Sequence, residues 1–93
     1  MWVLLYASTE NGTLDFPRIV AASQDDMEGE EKMQSQLQED YSKRIAELTD
    51  GMTEDEIHDY FNSDRHTYTQ KSSNMGRIMT ENRQETWKIM RII

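Results

Sequence analysis

Apolar and polar positions change rhythm several times along the chain, and each rhythm predicts an element. Residues 2–8, Trp2-Val3-Leu4-Leu5-Tyr6-Ala7-Ser8, form a short run rich in aromatic and branched side chains. Such a run reads as a buried strand. Residues 17–22, from Pro17 to Ala22, read as a second strand antiparallel to it, with Asn11-Gly12 supplying a turn signal between them. Pro17 fits the start or edge of a strand, where its missing N–H costs least. A helical rhythm follows. Met33, Leu37, Tyr41, Ile45 and Leu48 stand three or four residues apart, with Met27 ahead of them. They place one apolar stripe on a long helix over residues 24–49. Ser23 and Asp26 have the spacing of an N-terminal cap for it. Gly29 would weaken its first turn, and Gly51 supplies a left-handed stop.

Thr53 and Glu56 form a capping box, and Met52 and Ile57 are placed for a hydrophobic staple around it. A short helix over 54–62 is expected, with Ile57, Tyr60 and Phe61 turned inward. Residues 63–74 are polar and rich in turn formers, which reads as a loop. The last segment fits two patterns. Met75, Ile78, Met79, Ile89, Met90 and Ile93 match a helical stripe. Residues 86–93 also read as a strand, with Trp87, Ile89 and Ile93 on one side. The β-branched and aromatic content favours the strand, and a third strand would complete a hairpin that is marginal alone. The expected fold is α+β, one domain over residues 1–93. A small antiparallel sheet of residues 2–8, 17–22 and 86–92 packs against one long and one short helix.

Composition narrows the chemistry. Leu, Ile, Val and Phe number 16 of 93 residues, below the roughly 20% mark at which high net charge begins to favour disorder. Seven Met, four Tyr and two Trp restore enough apolar surface for a small core. Absent cysteine excludes a disulfide scaffold, a zinc ribbon and a thiol enzyme. The first apolar run is too short for a signal sequence or a membrane span. A cytoplasmic protein without membrane contact is therefore expected.

Charge is the strongest signal. The net is -8, but it is unevenly laid out: residues 1–63 carry 15 acids and 4 bases, and residues 64–93 carry 3 acids and 6 bases. Most acids fall on the two expected helices, opposite the apolar stripes. A rigid array of carboxylates can imitate the phosphates of a nucleic acid and fill a basic groove on another protein. On this reading Glu30, Glu31, Glu39, Asp40, Glu47, Asp55, Glu56 and Asp59 form a partner-binding footprint. The acidic balance speaks against direct DNA binding, which needs a basic excess. Small, acidic, cysteine-free chains of this kind resemble phage-encoded inhibitors, anti-CRISPR and anti-restriction proteins among them. That resemblance is one of general character and rests on no motif.

Two other readings belong to different classes. A structural or assembly protein would join copies through acidic helices and the basic C-terminal segment, where Arg65, Lys71, Arg77, Arg83, Lys88 and Arg91 are interleaved with His66, Tyr68 and Trp87. These bases could equally pair with the acidic helices of their own chain, or bind single strands by stacking and backbone contacts. An enzyme or metal protein would have to be built around His58 and His66, with Asp55, Asp59 or Asp64. Nucleophile elbows, phosphate-cradling loops and calcium-loop spacing are missing from the sequence. The expectation is a non-enzymatic protein with no catalytic residue, metal or cofactor.

Overall fold

A computed structural model describes residues 1–10, 13–63 and 65–92. Its elements run β1 (Trp2–Glu10), β2 (Thr13–Leu14), β3 (Arg18–Ser23), α1 (Gly29–Leu48), α2 (Glu54–Phe61), β4 (Thr67–Ser72), β5 (Met75–Thr80) and β6 (Arg83–Arg91). The fold is α+β, an antiparallel sheet with one long and one short helix. The sheet order is β2-β1-β6-β5-β4, and β3 also pairs with β1. Since β6 occupies one edge of β1 from Trp2 to Glu10, β2 and β3 share its other edge. The expected Asn11-Gly12 turn lies outside the described residues.

The sheet is larger than the sequence pattern predicts. Residues 67–72, expected as loop, form the edge strand β4, and residues 75–80 form β5. The reason is visible in the packing. Beyond the half-buried Thr67, β4 is exposed throughout, so its sequence lacks the apolar alternation that marks inner strands. Tyr68 anchors it instead, edge-on to Tyr41 at 6.4 Å and to Phe61 at 4.6 Å between ring centres. Lys71 on an edge strand also discourages pairing with foreign strands. The C-terminal strand is found where the alternation placed it, as Arg83–Arg91.

Directly opposed residues share a sheet face. Rows on the face turned to α1 include Ser23–Trp2–Arg91, Ala21–Leu4–Ile89, Arg18–Tyr6–Trp87–Gly76, and Ser8–Glu85–Ile78–Tyr68. Leu4, Ile78, Trp87 and Ile89 bury there against Met33, Leu37 and Tyr41 of the helix, with Ile45 and Leu48 at the margin. Each fully buried Leu or Ile contributes roughly 1.5–3 kcal/mol. A bulge between Leu4 and Leu5 lets β3 follow the twist of β1.

The start of α1 departs from expectation. Helical geometry begins at Gly29, five residues later than the spacing predicts, and Met27 is 94% exposed rather than part of the stripe. Ser23 and Asp26 do not form the cap. Instead Asp25 Oδ1 accepts from the backbone N–H groups of Met27 and Glu28, at 2.9 and 3.0 Å. These two bonds hold the Asp25 carboxyl below its ordinary pKa, with Lys32 assisting. Gly29 is not a weakness in the turn, because a Cβ there would lie 2.6 Å from Trp2 Cδ1. The helix enters against the indole only because the side chain is absent. At the other end α1 stops at Leu48, and Gly51 takes φ 79° in the link to α2. The Thr53–Glu56 capping box is formed as expected.

Two predictions come from this packing. Gly29→Ala, which would normally favour a helix, should destabilise the fold by about 1–3 kcal/mol in urea unfolding, because it overpacks the Trp2 contact. Tyr41 sits on Gly76 beneath Trp87, and burial pushes its phenol up to about 12, with nearby Tyr68 adding to the shift. A phenol whose folded pKa is raised contributes stability below the unfolded value of about 10 and loses it as pH rises toward the folded value. Ultraviolet titration should therefore show a late-ionising tyrosine that disappears in Tyr41→Phe. The alkaline unfolding midpoint of that variant should rise.

Candidate functional site: an acidic helical layer

Residues 25–59 hold 13 acids and 3 bases, and the structure places them on one side of the sheet. It does not gather the eight expected footprint residues on one surface. Helical geometry turns about 100° per residue, so Glu31 and Asp40 point about 180° apart around α1. Glu39 points away from the sheet, roughly opposite Leu37. Glu31 and Glu39 are exposed. Glu30 lies on the packed side, half-buried, and accepts a bond from Asn74 Nδ2 at 3.2 Å.

Asp40 and Glu47 are brought together, but in mixed company. They line a cleft of about 250 Å³ with Arg18, Lys43, Arg44, Tyr6 and Glu85. Arg44 Nη1 reaches Glu47 at 3.3 Å, and Gln36 donates to Asp40 at 2.9 Å. Arg44 offsets Glu47, whereas Asp40 is half-buried and met by the neutral Gln36 amide.

On α2, Asp55, Glu56 and Asp59 are all exposed. Asp55 and Asp59 are one helical turn apart and share a face. Glu56 is committed to the capping box, bonding the Thr53 hydroxyl at 3.1 Å. Asp59 lies 3.9 Å from His58 Nδ1. Four of the eight residues, Glu31, Glu39, Asp55 and Asp59, are therefore exposed carboxylates on helix faces with neither a capping role nor a Lys or Arg salt-bridge partner among the described residues.

The basic C-terminal half does not fold onto these acids. Arg65 pairs with Glu81 at 3.1 Å, within its own half of the chain. Arg83 donates to the Tyr6 hydroxyl at 3.2 Å, and Arg91 lies over the Trp2 ring. Among the described residues, Lys71, Arg77 and Lys88 make no salt bridge. The bases of this half make no salt bridge to the acidic helices of their own chain among the described residues. The aromatics are also separated from them: Tyr68 and Trp87 belong to the helix-facing rows, away from Arg77 and Lys88.

The two histidines serve local contacts. His58 is exposed and meets the Asn62 amide through its ring nitrogens. His66 stacks on Tyr60 at 4.1 Å, and its Nδ1 lies 3.1 Å from Ser63 Oγ. Asp64 lies outside the described residues. No group of three or more metal-ligating side chains occurs among the described residues. No helix among them is long and apolar enough to cross a membrane.

Glu85 is the functional-looking group that the charge pattern does not single out. It is 2% exposed on β6. Arg44 Nε of α1 contacts both its oxygens at 2.9 Å, and the Tyr6 hydroxyl donates at 2.7 Å. Burial chiefly, and then Glu85, raises the Tyr6 pKa. The bond to Glu85 is the leading reason that Arg44 is raised. Its carboxylate is consumed by this network, which fixes the angle of α1 on the sheet. Strand alternation does carry the signal, since Glu85 is in phase with Trp87 and Ile89.

Compared with protein-family models, curated proteins and solved structures, the chain matches none of them.

Removing one partner of a buried ion pair strands the other. Arg44→Met, which strands the buried Glu85, should therefore cost about 3–5 kcal/mol and Glu85→Met less, because Arg44 keeps some contact with solvent; the double change should recover most of the larger loss. Urea unfolding of the two single variants and the double variant checks this coupling.

Proposed function

We propose that the protein is a non-enzymatic inhibitor that docks its acidic helical layer on a basic, nucleic-acid-binding surface of another protein. The observation that carries this reading is the exposed set Glu31, Glu39, Asp55 and Asp59, held on two helices and, among the described residues, not salt-bridged by the chain's own C-terminal bases. Carboxylates on a packed helix keep fixed spacing, whereas those on a disordered tail would lose conformational entropy on docking. The Thr53 capping box of α2, the Asp25 turn before α1 and the Glu85–Arg44 pair hold the layer in place before a partner arrives. Opposite charge on the partner would steer encounter, so association should be fast and fall steeply with salt. The resemblance in kind to phage-encoded inhibitors fits this mode of action.

The test uses the immobilised protein in cell lysate, at low and high salt, with captured proteins identified by mass spectrometry. A basic nucleic-acid-binding protein should bind at low salt and be displaced by excess DNA or RNA. Substituting Glu31, Glu39, Asp55 and Asp59 together by Lys should weaken that capture at least tenfold without loss of helical circular dichroism. Glu30 and Glu56 are left intact because both serve the fold. Undiminished binding by the reversed variant, or capture of only further copies of the chain, would refute the reading.

A further inference from the structure

Among the described residues no helix covers the sheet face turned away from α1. Val3 at one end of it is fully buried, but much of the face is open, and its composition is unlike that of the rest of the surface. Four rows lie on it: Ala22–Val3–Met90, Ile19–Leu5–Lys88–Met75–Ser72, Ala7–Thr86–Arg77–Thr69, and Thr9–Gln84–Met79–Thr67. Ile19 is 55% exposed, Met90 40% and Met75 36%. Leu5 and Met79 are half-buried beside them. An antiparallel sheet can leave one face wet, but that face is then ordinarily polar along each strand. Contiguous exposed apolar side chains inside a polar frame mark an interaction surface.

Its charge is equally selective. Lys71, Arg77 and Lys88 lie on this face, and none of the residues in its four rows is acidic; Glu81, which borders Thr9, Met79 and Gln84 at the β5–β6 turn, is paired with Arg65. A chain with a net charge of -8 thus presents a face whose four rows, among the described residues, carry positive formal charges and no negative one. Lys71, Met75, Arg77, Thr69 and Thr86 also enclose a depression of about 150 Å³, wide enough for one aliphatic anchor.

We propose that this bare sheet face is a second docking site, and that its occupant is an amphipathic helix of another protein with an apolar stripe and acidic flanks. The stripe would cover the methionines, whose unbranched side chains adapt to a helical ridge. The acidic flanks would meet Lys71, Arg77 and Lys88. Five strand positions at about 4.8 Å spacing make the face about 19 Å across, the length of about 13 helical residues.

Other occupants match less well. Two copies meeting through this same face would set three bases against three. The outer side of a second copy's α1 offers Glu31 and Glu39 but fills the positions between them with Ser35 and Gln38, leaving the methionines uncovered. A single-stranded nucleic acid would need aromatic side chains for stacking, and this face has none among its described residues. The proposal does not depend on the role given to the helical layer, because the two surfaces lie on opposite sides of the molecule.

The test uses two synthetic helical peptides with the same leucine stripe, one flanked by Glu and one by Lys. Binding is read from the methyl signals of 13C-labelled methionine in the full chain. The Glu peptide should shift Met75, Met79 and Met90 saturably while leaving Met27 and Met33 in place. Lys71→Glu, Arg77→Glu and Lys88→Glu combined should weaken it at least tenfold. Lys88→Ala alone, a milder change at an exposed position, should weaken it measurably. The proposal is overturned by any of four results. These are no saturable shift at millimolar Glu peptide, equal binding of the Lys peptide, the same methyl shifts with an RNA oligonucleotide, or shifts that track protein concentration with no peptide present.

Discussion

The contact between the Met33–Leu37–Tyr41 stripe of α1 and the Leu4, Ile78, Trp87 and Ile89 side chains of the sheet is the constraint on which the molecule depends. A chain of this size buries only about 60–65% of its unfolded surface, so one helix–sheet interface has to supply most of the core. Aromatic edges carry much of it. Trp87 meets Tyr6 at 5.2 Å and Tyr41 at 5.7 Å, and the series continues through Tyr68 and Phe61 to Tyr60. That series joins α2 and the edge strand β4 to the centre. Two close approaches, Trp2 over Gly29 and Tyr41 over Gly76, set how near the layers can come. The Glu85–Arg44 pair then fixes their relative orientation. A methionine at either position would pack the gap but would not define the angle, which is the specificity a buried ion pair can add.

The placement of charge follows from this arrangement. With the apolar stripe of α1 turned inward, its Glu, Gln and Lys residues have to face solvent on the same side as α2. The strands are tied to period two, so the residues out of phase with Trp87 and Ile89 emerge on the far side of the sheet. Lys88 and Arg77 are out of phase and emerge there together. The uneven distribution of charge along the sequence thereby becomes two surfaces of different character. Both proposed activities draw on that separation.

Sequence pattern revealed some of this and hid the rest, for physical reasons. The stripe on α1 was legible because five apolar residues recur at helical spacing over a long polar background. The Thr53–Glu56 box was legible because both of its bonds are local. Strand β4 was not legible, because an edge strand held by one tyrosine needs no alternation. The true start of α1 was hidden because Asp25 caps a turn rather than the helix, and because Gly29 answers to Trp2, a residue remote in sequence. The eight-residue footprint was legible as charge but not as geometry. Which carboxylates stand free depends on Asn74, Arg44 and the capping box, and only the folded chain shows those contacts. Glu85 could have been found, since an acid in phase with a tryptophan and an isoleucine on a strand has to be buried with a partner.

The central claim is that the molecule is electrostatically two-sided. It can be measured without knowing any partner, by comparing relaxation of assigned nuclear magnetic resonance signals caused by anionic and cationic paramagnetic probes of equal size. The cationic probe should dominate at exposed amides of α1 and α2, whereas the anionic probe should gain at the methyls of Met75 and Met90. Uniform preference for the cationic probe over both surfaces, as expected from the net charge alone, would contradict it.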